Sequence, residues 1–347
     1  MTTIMGNGRK RNEVYVHNGK RGASKAMATV EAYPESPAPV PAKATGWRRL
    51  KSRLWKDRYL ILLGLPGVAY FLVYKYAPMF GLYLAFIDFN PFQGIFGSPW
   101  VGMQHFARIF EDREIILVLW NTLVISFLQI VFAFPVPIIM ALMLNELRSE
   151  LYKRIVQSIV YLPHFLSWVV VVGICVIFLR SEGLINVFLR ETFGWEPIPF
   201  LTNPAYFKPL IVLQVIWKES GWGTIIFLAA LAGVNPHLYE AAVVDGAGRF
   251  RRMWHITLPA IRSTIVILLI LRLGHVLDSG FEHIFLMLNP FNMDTQNVLD
   301  TFVYFKGIQQ SDYSFATAVG LFKGVVGLVL VAAANYTAKK FGEEGVY

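Results

Sequence analysis

Apolar and polar residues are segregated into long blocks along this chain. Residues 1–46 are polar and poor in large aliphatic side chains, with a Pro/Ala-rich run from Pro34 to Pro41. Such a stretch cannot bury enough surface to offset the entropy of ordering it, so a disordered basic cytosolic tail is expected. It has no apolar h-region near its start and is not expected to be a secretory leader. From Trp47 to Arg58 the pattern changes. Trp47, Leu50, Leu54 and Trp55 recur at i, i+3, i+7 and i+8, with Arg and Lys opposite, which predicts an amphipathic helix lying in a membrane interface over 47–58.

Six apolar blocks follow, at about 59–80, 115–143, 155–179, 207–232, 262–289 and 314–337. Each can cross a hydrocarbon layer, which takes about 20 helical residues. The second and third are free of charge, whereas the last three carry Lys218 and Glu219, then Arg272, Asp278 and Glu282, then Lys323. The predicted fold class is therefore all-α transmembrane, a six-span domain over 59–347.

Composition agrees: 55% of the 347 residues are apolar and 16% charged, against about 25% charged in soluble domains. The net charge of +9 is concentrated in residues 1–58, which hold 13 Lys/Arg and 4 Asp/Glu, while the remainder holds 19 of each. A nucleic-acid binder would spread its basic side chains over a folded face, so no nucleic-acid partner is expected and the tail belongs near anionic lipid headgroups. With the N-terminus inside, inner segments hold 21 Lys/Arg and outer ones 5, or 8 against 5 without the tail. Both termini are expected in the cytosol. The single cysteine, Cys175, excludes a disulfide scaffold and a Cys-based zinc site, and no metal is expected.

The fourth connection, residues 233–260, is long for a membrane hairpin. Asn235 can cap a helix that begins with Pro236, and Gly246 and Gly248 permit the turn that ends it. Leu238, Ala241 and Ala242 share one face. A second short helix can run from Arg249 towards Ile256 until Pro259 breaks it before the next span.

Within this loop Glu240-Ala241-Ala242, then Gly246, Ile256 and Leu258-Pro259 match the spacing of the EAA signature of bacterial ABC importer permeases. The chain resembles that family from about residue 56 to its end, and within it the polysaccharide (LplB-like) branch of the carbohydrate-uptake permeases. KYAPMFGLYLAFIDFNPF, SPWVGMQHF, ALMLNELRS, YLPHF, GWGTIIFLAAL, GFEHIFLMLNP and YSFATAVGLF carry that likeness. The resemblance implies a type I six-helix permease fold in a bacterial inner membrane. It implies a coupling helix seated on a separate ATPase, with Glu240 meeting a basic group, Ala241 and Ala242 allowing close approach, Gly246 turning the chain, and Ile256, Leu258 and Pro259 ending the loop. The partners implied are a second, homologous permease subunit, two cytosolic ATPase subunits, a solute-binding protein and an oligosaccharide. No phosphate loop of the GxxxxGK[ST] type is present, since Gly19-Lys20 is followed by Arg21. No cofactor is expected, and the chain is expected to be a transporter subunit rather than an enzyme.

Charges inside spans default to functional candidates. His275, Asp278 and Glu282 fall at i, i+3 and i+7 of the fifth block, with Arg272 flanking them. Gln214, Lys218 and Trp222 recur every four residues in the fourth block, and Trp217 adjoins them. Rings and hydrogen-bonding groups suit a sugar path, with Gly221 and Gly223 expected to open space beside them. The packing alternative is an interhelical pair such as Lys218 with Asp278. Gly320 and Gly324 read as a close-packing face, and His105, His164 and His255 as structural. Two other function classes remain open on residues alone. One is an ion-coupled transporter with a relay through His275, Asp278 and Glu282; the other is an intramembrane enzyme using Asp278 and Glu282 as acid and base.

Overall fold

The computed structural model describes residues 55–343, 345 and 346. The tail and most of the expected interfacial helix, residues 47–54, lie outside the described residues. Chain contacts separate residues up to Gly67 from Val68–Tyr347. In the first unit, Trp55 to Gly67 are all exposed, and Arg58 lies over the rings of Trp55 and Tyr59 at 5.0 and 4.8 Å. Helix α1 spans Arg58–Phe71 and buries no residue.

In the second unit the helices are α2 (Gln104–Glu111), α3 (Arg113–Leu128), α4 (Pro135–Asn145), α5 (Glu150–Tyr161), α6 (Trp168–Leu179), α7 (Leu184–Phe193) and α8 (Pro204–Ala232). They continue with α9 (Pro236–Val244), α10 (Arg262–Gly274), α11 (Phe281–Met287), α12 (Leu299–Tyr304) and α13 (Tyr313–Lys340). Among the described residues, five helical stretches are long and apolar enough to cross a membrane, or six if Arg249–Ala260 and Arg262–Gly274, bent by 57°, count as one span.

Prolines set the irregularities. Three spans widen into a π turn that ends two residues before a proline: Leu72–Tyr76 before Pro78, Gln129–Ala133 before Pro135, and Met253–Thr257 before Pro259. Proline has no N–H and its ring crowds the carbonyl four residues back, so a wider turn upstream relieves the clash. Pro259 thus does not stop the helix, as expected from sequence; the chain stays helical to Ala260 and bends at Ile261.

The third span is displaced from its expected position. Residues 155–161 belong to the amphipathic α5, Leu162–Phe165 form a 3₁₀ turn around Pro163, and Leu166 is extended. Ser167 then caps α6 by accepting from the Val170 amide. The apolar run continues through this break, so hydropathy alone hid it.

α8 lies along α4 and crosses α5. A Cβ on Gly221 would collide with the Val160 carbonyl, and one on Gly223 would sit 3.0 Å from Pro137. These glycines close space rather than opening it. Close packing on α13 occurs at Gly327, where an added Cβ would lie 2.6 Å from the Gly274 carbonyl oxygen, while Gly320 and Gly324 face open space. Three apolar clusters knit the unit. One joins α3, α12 and α13 through Ile115, Phe302 and Phe315; a second joins α3, α8 and α11 through Ile125, Ile211 and Ile284; a third seats Ile261 between α4 and α8.

Candidate functional site

Two regions carry polar chemistry: the loop between α8 and α10, and a belt of charged and aromatic side chains in the bundle. In the loop the Asn235 side chain accepts from the His237 amide, and Pro236 opens α9. The helix ends on Gly246, whose φ of +74° is the left-handed conformation glycine tolerates. No residue of α9 is buried. Glu240 projects with its side chain 71% exposed, and its only ion pair among the described residues is with His237 at 3.1 Å. Leu238, Val243, Val244, Phe250 and Trp254 are also exposed. Ala241 is exposed and Ala242 half-buried. The helix is tied back by the Tyr239 hydroxyl, which donates to Thr257 Oγ1 at 3.1 Å. Ile256 and Leu258 are half-buried and Pro259 is exposed, whereas Ile261 is fully buried. The anchor at the end of the loop is therefore Ile261, two residues beyond the Leu-Pro pair. This is a short, rigid, apolar-tipped element with no cover of its own.

In the belt, α8 presents two different surroundings. Gln214 and Trp217 line an almost wholly apolar cavity of about 290 Å³ with Ile174, Cys175, Phe178 and Leu213. Gln214 is buried; its amide nitrogen meets Met287 Sδ at 3.4 Å. One turn further on, Lys218 is buried and committed. Its ammonium donates to the His164 carbonyl at 2.7 Å, lies 3.5 Å from Glu219, and sits 5.3 Å from the Trp168 ring centre. His164 in turn pairs with Glu219 at 2.9 Å and stacks on Trp222 at 4.6 Å. Trp168 stacks on the buried His283 at 4.3 Å. Lys218 thus clamps the Pro163 break onto α8 and is not paired with Asp278. His164, Trp168, Glu219 and His283 join Lys218 and Trp222 in one cluster. Sequence reasoning does not bring these four together. It reads His164 as structural, Glu219 as a charge in the fourth span and His283 as a residue near the outer end that meets the solute-binding protein. The partners lie far away in the chain; His164 and Glu219 are 55 positions apart.

The fifth block is not one helix. α10 stops at Gly274, the chain turns through 275–280 with Gly280 at φ +93°, and α11 starts at Phe281. His275, Asp278 and Glu282 therefore do not form a helical stripe. His275 and Asp278 pair at 3.0 Å in the turn, while Glu282 is exposed on α11. Lys323 of α13 bridges Asp278 and Asp300. Arg272 donates to Gln129, the first residue of the π turn after α3. Among the described residues no group of three or more His, Cys, Asp or Glu could hold a metal ion.

The described residues thus combine apolar spans, charges paired within the chain, and a helix exposed on a loop. Residues 133–342 match the model of the binding-protein-dependent transport system inner membrane component. The chain belongs to that family. It is 52% identical over 322 residues to the polygalacturonan/rhamnogalacturonan transport system permease protein YteP of Bacillus subtilis, covering 92% of this chain and all of the relative. Protein LplB of the same organism is 50% identical over the same lengths. A crystal structure of a bacterial ABC transporter involved in import of the acidic polysaccharide alginate contains a chain with TM-score 0.78 and 42% identity, covering 84% of this chain and 99% of that one. A second, of the alginate transporter with a pentasaccharide-bound periplasmic protein, gives 0.79 and 41%, covering 86% and 100%. The chain is thus a multi-pass ABC importer permease of the type I fold, a transport subunit that works with a solute-binding protein and with ATPase subunits.

Proposed function

We propose that this permease forms one half of a translocation path for acidic oligosaccharides, paired with a different permease subunit, with both termini in the cytosol. The observation that carries the substrate class is the 52% identity, over the full length of the relative, to a permease named for polygalacturonan and rhamnogalacturonan. The likeness to the importer of an acidic polysaccharide points the same way.

On this proposal loop 233–260 seats on the ATPase, with Glu240 meeting a basic group, Ala241 and Ala242 allowing close approach, and Gly246, Ile256, Leu258 and Pro259 setting its shape. The substrate path draws on Gln214, Trp217, Lys218, Trp222, His275, Asp278 and Glu282, in unequal roles. Trp222 keeps half its surface open beside His164 and Glu219, so it offers a ring face to a sugar. Lys218 acts through His164, because its charge is already engaged. An ion-coupled relay has less support, since His275 and Asp278 sit in a turn and Asp278 is neutralised by Lys323.

The test is uptake of an acidic and a neutral oligosaccharide by the assembled importer, with bound glycan identified by mass spectrometry. Trp222→Ala is expected to lower acidic-glycan uptake about fivefold with little change in melting temperature, a stacked ring being worth about 1 kcal/mol beyond its burial. Preferential uptake of the neutral glycan would reject the substrate class.

A further inference from the structure

The outer side of the bundle has a charge pattern that sugar transport alone does not explain. On the orientation proposed above, the outer segments 81–114, 180–206 and 290–313 contain ten carboxylates and five Lys/Arg. Three of the five cations are spent within the chain: Arg108 on Asp312, Arg190 on Glu182 and Lys306 on Glu114. Lys323 takes Asp300 from below. Asp88, Glu111, Asp112, Glu191, Glu196 and Asp294 have no ion pair among the described residues, against two guanidiniums, Arg113 and Arg180. The outer surface is therefore acidic.

On that surface a pocket of about 290 Å³ opens where the start of α3 meets the chain between α11 and α13. Glu114, Asp294, Asn297, Gln309 and Gln310 line it beside Phe305. Asn297 is 6% exposed and held rigidly: its side-chain oxygen accepts from Thr301 at 2.6 Å and its backbone oxygen from Asn121 at 3.2 Å. Its carboxamide nitrogen has no partner among the described residues. A rigidly held donor open to the pocket, beside the unpaired Asp294 and the Lys306-bound Glu114 and walled by Phe305, can receive a group from outside.

We propose that this pocket is the socket for a basic side chain carried on a loop of the solute-binding protein. Asp294, which has no ion pair among the described residues, meets the cation beside the Glu114–Lys306 pair, and the Asn297 amide donates to a carbonyl of the same loop. The alternative occupant, an acidic sugar unit, would bring its charge against the unpaired Asp294. The same acidity repels a free polyanionic glycan, so substrate must arrive enclosed in its carrier. Attraction between an acidic face and a basic partner acts mainly on the association rate and is screened beyond about 8 Å at physiological ionic strength.

The experiment measures binding of the solute-binding protein to the assembled importer in lipid nanodiscs at two salt concentrations. Raising NaCl from about 50 to about 300 mM is expected to weaken wild-type binding. Asp294→Lys is expected to weaken it about tenfold at low salt, chiefly through the association rate, and to flatten the salt dependence. Carbodiimide treatment of the wild-type complex should join Asp294 or Glu114 to a lysine of the binding protein. Unchanged affinity in Asp294→Lys, or a pocket protected by free acidic glycan without the binding protein, would overturn the proposal. Asp294→Cys in a Cys175→Ser background, labelled with a membrane-impermeant maleimide, separates the causes of failure. Labelling from the outside with no affinity change rejects the socket alone. Labelling only after permeabilisation rejects the orientation on which it rests.

Discussion

The chain interrupts its helices in two contrasting ways. Loop 233–260 is exposed, and its shape comes from residues next to one another: an Asn-Pro start, a left-handed glycine and a π turn ahead of Pro259. The turn at 275–280 lies within an apolar block, and its shape depends on a partner distant in sequence, because Lys323 of α13 holds Asp278 and also Asp300. A local break tolerates changes in charge; a break held by a partly buried ion network does not.

The sharpest way to test that contrast is Lys323→Met, which leaves Asp300, largely buried, without its cation. Removing one member of a buried pair costs about 3–5 kcal/mol, so the variant is expected to lose assembly or to melt far below wild type. Adding Asp278→Asn and Asp300→Asn should recover much of the loss. An unchanged melting curve for Lys323→Met would show that local geometry holds this turn too. Glu240→Lys probes the other side. Glu240 is exposed and its only ion pair among the described residues is with His237, so melting should stay at the wild-type value while ATPase co-purification and transport fall, by about 2 kcal/mol of docking energy. Wild-type transport would remove Glu240 from the ATPase contact. The smallest effect is expected for Tyr239→Phe, which deletes one hydrogen bond to Thr257, worth about 1 kcal/mol. It should loosen amide exchange in α9 and leave the spans alone.

The same contrast explains what could be read without coordinates. Helix class and the cap, turn and exposed face of α9 follow from hydropathy, proline and glycine, all signals carried within a few residues. The break at Leu162–Ser167 was legible only in Pro163, and the continuous apolar run overrode it. The end of α10 at Gly274 was hidden because the block stays apolar beyond it and the helical spacing of His275, Asp278 and Glu282 looked purposeful. Gly221, Gly223, Gly320 and Gly324 show the limit from another side. A glycine says that a Cβ is absent, but only the neighbouring helix decides whether the space is filled, as by Val160 and Pro137, or left open. The His164–Glu219–Trp222 cluster had no local signature at all.

The π turns ahead of Pro78, Pro135 and Pro259 have a mechanical meaning. A regular helix is a stiff rod, and one with a widened turn beside a missing N–H is two rods joined by a soft coupling. The coupling at Met253–Thr257 lies between α9 and the span that follows it. A push on α9 would be absorbed there if the backbone were the only route. Two side-chain contacts bypass the soft section: Tyr239 hooked to Thr257, and Ile261 plugged between α4 and α8. On the coupling role proposed for the loop, the load path into the bundle runs through a hydroxyl and a buried isoleucine, and stroke is lost wherever either contact slips.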